Sequence, residues 1–217
     1  MVKVKFCGIR RAEDIEAVNR LQPDFAGFVF AKSKRQITKE QAAALKELLD
    51  SGVKTVAVLV NMPVEEAAVL ANSGIADLLQ LHGDEDAAYI EKLKTLTPAK
   101  IIKAIRLRNG NHAMNAKLLA EASQADYYLF DTFLPDTYGG TGKTFALSLL
   151  NNLLIDKLFF LSGGLDAENV AGIIGQLQKD ANLLPYFYGV DVSGGIESDN
   201  AKDPVKMEAF IKAINTM

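Results

Sequence analysis

The strongest constraint on this chain is a strand-like run that returns about every 22 to 31 residues from one end to the other. β-Branched and aromatic clusters at Val2–Phe6, Phe25–Phe30, Thr55–Val60, Leu78–Leu81, Ile101–Ile105, Tyr127–Phe130, Leu158–Leu161 and Tyr188–Val192 read as eight strands. Their spacing is that of a βα unit with short loops. Helical patterns fill the gaps. Ala12–Leu21 carries Ile15, Val18 and Leu21 on one face, and Thr38–Leu49 opens with a Thr-x-x-Gln capping box. Asp84–Leu93 begins with acids, which suit the positive end of a helix dipole. Asp166–Leu177 has Asp166 as its candidate N-cap, and Pro204–Ile214 closes the chain.

Eight such units allow an open doubly wound sheet or a closed (β/α)8 barrel. The first would show Gly-x-Gly-x-x-Gly after strand 1. Here strand 1 runs into Cys7-Gly8-Ile9-Arg10, so that fingerprint is absent. The expectation is therefore an α/β fold, a single-domain (β/α)8 TIM barrel spanning residues 1–217, with function at the C-terminal ends of its strands. Composition agrees: 49% hydrophobic and 24% charged residues are those of an ordinary globular domain. A net charge of −3 supplies no basic stripe for nucleic acid, and no apolar run reaches the roughly 18 residues of a membrane helix. The lone cysteine, Cys7, points to a reducing cytoplasm rather than a disulfide framework. Ordinarily polar outer helix faces leave a monomer or a homodimer open.

The unusual residues gather at the strand ends. Strand 7 runs into Ser162-Gly163-Gly164 and strand 8 into Ser193-Gly194-Gly195. Paired glycines let a backbone approach an anion and turn its N–H groups toward it, and a following helix N-terminus adds partial positive charge. Two such turns after the last two strands predict a phosphate site. Gly139-Gly140-Thr141-Gly142-Lys143-Thr144 ends like a Walker A loop, but the required first glycine position holds Thr137. Nucleotide hydrolysis is excluded on that ground, and Gly139, Gly140, Gly142 and Lys143 read instead as a lid after strand 6.

Cys7 would pack as a small hydrophobe in an ordinary interior, but at a strand end beside Gly8 and Arg10 it reads as a reactive thiol. Asp131 follows the apolar run Tyr128-Leu129-Phe130, where partial desolvation would raise its pKa and let it donate a proton. Asp191 is a rival acid. It lies inside strand 8 rather than just past it, which favours Asp131. Arg35 after strand 2 is a candidate bidentate ligand for a substrate carboxylate. Gln80 and His82 end strand 4, with His82 open to a catalytic or a structural reading, and His112 reads as loop or helix start. Two distant histidines and no cysteine cluster predict no metal, and nothing calls for a cofactor.

Taken together, Lys5-Phe6-Cys7-Gly8-Ile9-Arg10, Gly27-Phe28-Val29-Phe30, Gln80-Leu81-His82-Gly83, Phe130-Asp131-Thr132, Gly139-Gly140-Thr141-Gly142-Lys143, Leu161-Ser162-Gly163-Gly164-Leu165 and Val190–Glu197 resemble the phosphoribosylanthranilate isomerase family of tryptophan biosynthesis. The likeness runs from strand 1 through strand 8. It implies an Amadori rearrangement of N-(5-phosphoribosyl)anthranilate to a 1-deoxyribulose 5-phosphate product, with Asp131 as general acid and Cys7 as general base. It further implies that Arg35 holds the anthranilate carboxylate and that the glycine turns hold the phosphate. One departure stands out: the family's Ser-Pro-Arg reads Ser33-Lys34-Arg35 here, which removes a rigid residue next to Arg35. Two alternatives remain. One is a histidine-pathway isomerase, which resembles two half-barrels, uses an aspartate where this chain has Cys7, and needs a second glycine-rich turn after strand 3. The other is a non-catalytic barrel that only binds a sugar phosphate.

Overall fold

The computed structural model describes residues 1–107, 111–132, 147–150 and 153–216. Strands β1 (Lys3–Cys7), β2 (Phe25–Val29), β3 (Lys54–Leu59), β4 (Leu78–Leu81), β5 (Lys100–Leu107), β6 (Tyr127–Thr132), β7 (Phe159–Ser162) and β8 (Phe187–Val192) pair in parallel, each with the next, and β8 returns to β1 to close the barrel. The helices are α1 (Ala12–Leu21), α2 (Lys39–Leu48), α3 (Val64–Asn72), α4 (Ala87–Leu96), α5 (His112–Glu121), α6 (Val170–Leu177) and α7 (Pro204–Asn215). Between β6 and β7 the described residues include a short 3-10 turn, Leu147–Leu149. The glycines and lysine proposed as a lid, 139, 140, 142 and 143, lie outside the described residues.

Period-2 alternation assigns each side chain a layer. Val4, Phe6, Ala57, Leu79, Ile101, Ile105, Phe159 and Leu161 point outward and join the helices in one large core. Phe25, Val56, Leu78, Ile102, Ala104, Leu129 and Phe160 point inward and fill the barrel. Phe25 meets Phe160 edge-on at 5.5 Å, and Phe160 meets Tyr188 at 5.2 Å, so aromatic rings plug the interior. The β7–β8 register slips between Phe187 and Gly189, leaving Tyr188 as the extra residue of a bulge.

Local chemistry starts the helices where they start. Thr38 and Gln41 make the expected capping box on α2. Asp86, not Asp84, caps α4, and Asp203 caps α7 ahead of Pro204. The α6 helix begins at Val170, later than expected from Asp166. Asp166 accepts from the N–H groups of Glu168 and Asn169, and so caps the turn that leads into the helix. His112 is the first residue of α5.

At the N-terminal rim one device repeats. Asp24, just before β2, accepts from the Val4 N–H of β1. Asp77, before β4, accepts from the Thr55 N–H of β3, and Asp126, before β6, from the Ile101 N–H of β5. Each aspartate also pairs with a lysine: Lys3, Lys46 and Lys100 respectively.

The β1–β8 seam pairs Lys3 with Gly189, where an added Cβ would lie 2.3 Å from the Lys3 carbonyl oxygen. Gly189→Ala should therefore lower stability by about 2 kcal/mol, or roughly 4–8 °C in Tm. Gly172→Ala, in open space on α6, should leave the Tm unchanged or raise it. Equal Tm values for the two variants would contradict the tight seam.

Candidate active site

The upper end of the barrel interior is polar. Cys7 ends β1 on the inward face and packs beside Val29 and Val58. Two residues earlier on the same face, Lys5 is fully buried and its Nζ lies 2.8 Å from Oδ1 of Asp191 on β8. Gly27 on β2 makes room for both: a Cβ there would sit 3.1 Å from Cys7 Sγ and 3.2 Å from Lys5 Nζ. Burial pushes the Cys7 thiol up, and Lys5 partly offsets that. Burial would likewise push the Lys5 ammonium down, but Asp191 and the thiol outweigh it, so its pKa is raised. The cation beside the thiol is thus Lys5. Arg10, the neighbour suggested by sequence, instead donates Nη2–H to the Asn200 carbonyl at the surface.

Across the mouth, Asp131 lies inside β6, which continues to Thr132. The distinction between an acid past its strand and one within it therefore does not separate Asp131 from Asp191. Their partners do. Asp191 is 5% exposed and paired with buried Lys5, whereas Asp131 is 27% exposed at the barrel mouth. It is less desolvated than the apolar run before it suggests. The Gln80 side-chain amide lies 2.9 Å from His82 Nδ1, and His82 Nε2 lies 3.3 Å from Asp131 Oδ2. The buried Gln80 Oε1 has no partner among the described residues. Arg106, at the end of β5 and in register with Asp131, donates Nη2–H to the His82 carbonyl at 2.7 Å.

The third cluster lies beyond β8. Ser193 leads into a 3-10 turn, Gly194–Ile196, and then a hairpin of β9 (Glu197–Ser198) and β10 (Ala201–Lys202). Arg35 crosses above Gly8, where a Cβ would meet its Cδ at 2.6 Å. Its Nε and Nη2 both bond Glu197, each at 2.7 Å. Lys202, 4% exposed, reaches Glu197 Oε1 at 2.8 Å and the Ser193 carbonyl at 2.9 Å. Ser193 Oγ donates to the Cys7 carbonyl. The missing proline is answered by Lys34, whose Nζ donates to Asn200 Oδ1 at the hairpin tip.

Gly163 and Gly164 both have positive φ, which glycine adopts without strain. Gly164 faces open space. Gly195 packs on the adjoining loop, since a Cβ there would fall 1.9 Å from the Leu165 carbonyl oxygen. The two glycine turns are therefore in contact.

The structure brings Cys7, Arg35, Ser193 and Gly194 together on one side and Gln80, His82 and Asp131 on the other. Sequence reasoning missed Lys5, Arg106, Glu197 and Lys202. Lys5 had a readable signal, its two-residue spacing from Cys7 within an apolar strand. Glu197 and Lys202 lie past the last strand, and the Arg35 that draws them into the site comes from 162 residues away. Among the described residues, no group of three or more His, Cys, Asp or Glu is placed to hold a metal ion. Nor is any helix among them long and apolar enough to cross a membrane.

Comparison with known proteins agrees over the whole chain. The sequence model of one family, described as N-(5'-phosphoribosyl)anthranilate (PRA) isomerase, matches residues 4–213. A protein of that name from Thermoanaerobacter sp. (strain X514) is 44% identical over 99% of this chain and 98% of its own length. The one from Endomicrobium trichonymphae is 37% identical over 100% of both chains. The crystal structure of phosphoribosyl anthranilate isomerase from Thermotoga maritima superposes with a TM-score of 0.83 at 32% identity, covering 100% of both chains. A second solved isomerase, in complex with reduced 1-(o-carboxyphenylamino)-1-deoxyribulose 5-phosphate, gives 0.80 at 29% identity, again over 100% of both.

The Arg35–Glu197–Lys202 cluster carries a pH signature. Burial opposes ionisation of Glu197, but hydrogen bonds from Arg35 and Lys202 outweigh it and hold the carboxyl at about 2 rather than 4.5. A depressed carboxyl stabilises the fold fully above its unfolded pKa, and that contribution is lost as pH falls toward the folded value. Wild type should thus lose more stability than Glu197→Gln between about pH 5 and pH 2.5 in urea unfolding. Parallel losses in the two proteins would contradict the cluster.

Proposed function

The chain belongs to the N-(5'-phosphoribosyl)anthranilate isomerase family, and from that membership we propose that Cys7 and Asp131 perform its reaction as base and acid. The reaction is the Amadori rearrangement of phosphoribosylanthranilate to 1-(2-carboxyphenylamino)-1-deoxyribulose 5-phosphate, a step of tryptophan biosynthesis. All 217 residues serve as one catalytic barrel. The observation that carries the assignment is that Cys7 and Asp131 both face inward at the same barrel mouth, beside the glycine turns after β7 and β8.

Asp131 protonates the furanose ring oxygen. The bond from that oxygen to C1 breaks while the nitrogen lone pair forms the C1=N bond of a protonated Schiff base. His82 Nε2, 3.3 Å from Oδ2, orients the carboxyl group through this transfer. The Cys7 thiolate then removes the proton from C2. The C–H electron pair becomes the C1=C2 bond and the imine π pair returns to nitrogen, giving an enolamine. C1 regains a proton and the C2 hydroxyl loses one as the ketone forms. One acid and one base suffice, each worth about 10²- to 10⁴-fold.

Arg35 holds the anthranilate carboxylate with the N–H groups that Glu197 leaves free. Gly163, Gly164, Ser193, Gly194 and Gly195 receive the phosphate, and Gln80 with His82 completes the acid's side of the pocket. The lone Cys7 supports a reducing, cytoplasmic setting, and the chain works as a monomer or a homodimer.

Purified protein should convert phosphoribosylanthranilate without added metal or cofactor, followed as loss of anthranilate fluorescence. Cys7→Ala and Asp131→Asn should each lower kcat by about 10²-fold or more. Wild-type kcat in either variant would remove that residue from its role. Arg35→Met should chiefly raise KM, and an unchanged KM would take Arg35 out of the site.

A further inference from the structure

The proton transfers above leave one buried charged pair of the barrel interior without a task. Lys5 is fully buried and Asp191 is 5% exposed, with Nζ and Oδ1 2.8 Å apart. Desolvating two charges offsets most of their attraction, so a buried pair is a poor source of stability. An apolar pair of like volume would serve the barrel core as well. What distinguishes the place is the neighbour. Lys5 and Cys7 project from the same face of β1, and both Nζ and Sγ lie within 3.2 Å of the point where a Gly27 side chain would begin.

We infer that Lys5, aimed by Asp191, is the positioning residue that equips Cys7 to act as a base. The inference rests on Cys7 being that base. An ammonium has three N–H donors, and Asp191 Oδ1 takes one, which leaves two for the sulfur. Asp191 holds the ammonium charged and oriented in a place where burial works against its charge. Asp191 itself opposes ionisation of the thiol, less strongly than Lys5 favours it, and the remaining charges acting on the sulfur come from Lys202 on β10 and Arg35 after β2. Both are committed to Glu197, and Lys202 also to Ser193. Lys5 is the cation two residues from Cys7 on its own strand and face, whereas Lys3, four residues away, is held by Asp24 at the N-terminal rim.

The two influences on the thiol have opposite signs, and catalysis uses both. Burial keeps the sulfur basic enough to take a proton from carbon, while Lys5 limits how far burial raises it. Accepting the C2 proton turns thiolate into thiol and leaves Lys5 and Asp191 balanced against each other, so no net charge is stranded in the interior.

Because Cys7 is the chain's single cysteine, alkylation by iodoacetamide reads that sulfur alone. In Lys5→Met the pH midpoint of alkylation should rise by about one unit or more, an alkylation rate about tenfold lower at neutral pH. The acid limb of the kcat/KM profile should rise with it, and Lys5→Arg should restore both toward wild type. Lys5→Met with Asp191→Asn removes the pair together and leaves no orphan charge, so it reports even if the single variant fails to fold. It too should alkylate with a raised midpoint. An unchanged midpoint in the single and the double variant overturns the inference, as does a shifted midpoint with an unmoved acid limb. Full turnover in Cys7→Ser would instead overturn the base assignment, and the alkylation midpoints would still report whether Lys5 governs the sulfur.

Discussion

Everything in this barrel depends on the register with which β8 returns to β1. Lys3 pairs with Gly189 and Lys5 with Asp191 across that seam. Closure abolishes the sheet edges and, because side chains alternate along a strand, fixes which residue of every strand faces in. A slip of one residue would turn Cys7 toward the helices and Phe6 into the mouth. Gly189 permits the close approach of the two strands, and the bulge at Tyr188 lets β8 supply a ring to the aromatic plug while still presenting Asp191 inward. The seam thus ties the shape of the barrel to the chemistry of its upper end.

The mouth divides into two electrostatic halves. On the side of β1, β2 and β8, cations outnumber acids: Lys5, Arg35 and Lys202 stand against Asp191 and Glu197. That side suits a substrate with a carboxylate and a phosphate. On the side of β4, β5 and β6, Gln80, His82 and Arg106 organise one carboxyl group. Glu197 links the first half to the hairpin beyond β8, so the placement of Arg35 depends on residues far along the chain. Lys34 ties the same loop to the hairpin tip, and a hydrogen bond to Asn200 thereby stands in for the stiffness of a proline.

The strand pattern was legible because parallel strands covered on both faces must be apolar throughout. The run at Leu78–Leu81 coincides with β4 to the residue. Strand ends were less legible, since the extension of β6 through Thr132 depends on partners in β5 rather than on its own residues. That is why the position of Asp131 past its strand did not survive, although its location at the mouth did. Cys7 stood out by rarity. Its neighbour Lys5 did not, because a lysine in a strand reads by default as solvated. The partnership of Arg35 with Glu197 spans 162 residues, and no local pattern encodes it.

The aspartates at the lower rim have a consequence for how the chain can be divided. Asp24, Asp77 and Asp126 each stand before an even-numbered strand and hold the first amides of the odd-numbered strand before it. Over the first six strands the repeating unit is therefore a pair of strands with their helices. New termini opened between α2 and β3, or between α4 and β5, leave every such carboxylate with the amide it serves. Breaks between α1 and β2, or between α3 and β4, part them. Circular permutants of this barrel should sort by that parity, whatever the sequence of the loop that is cut.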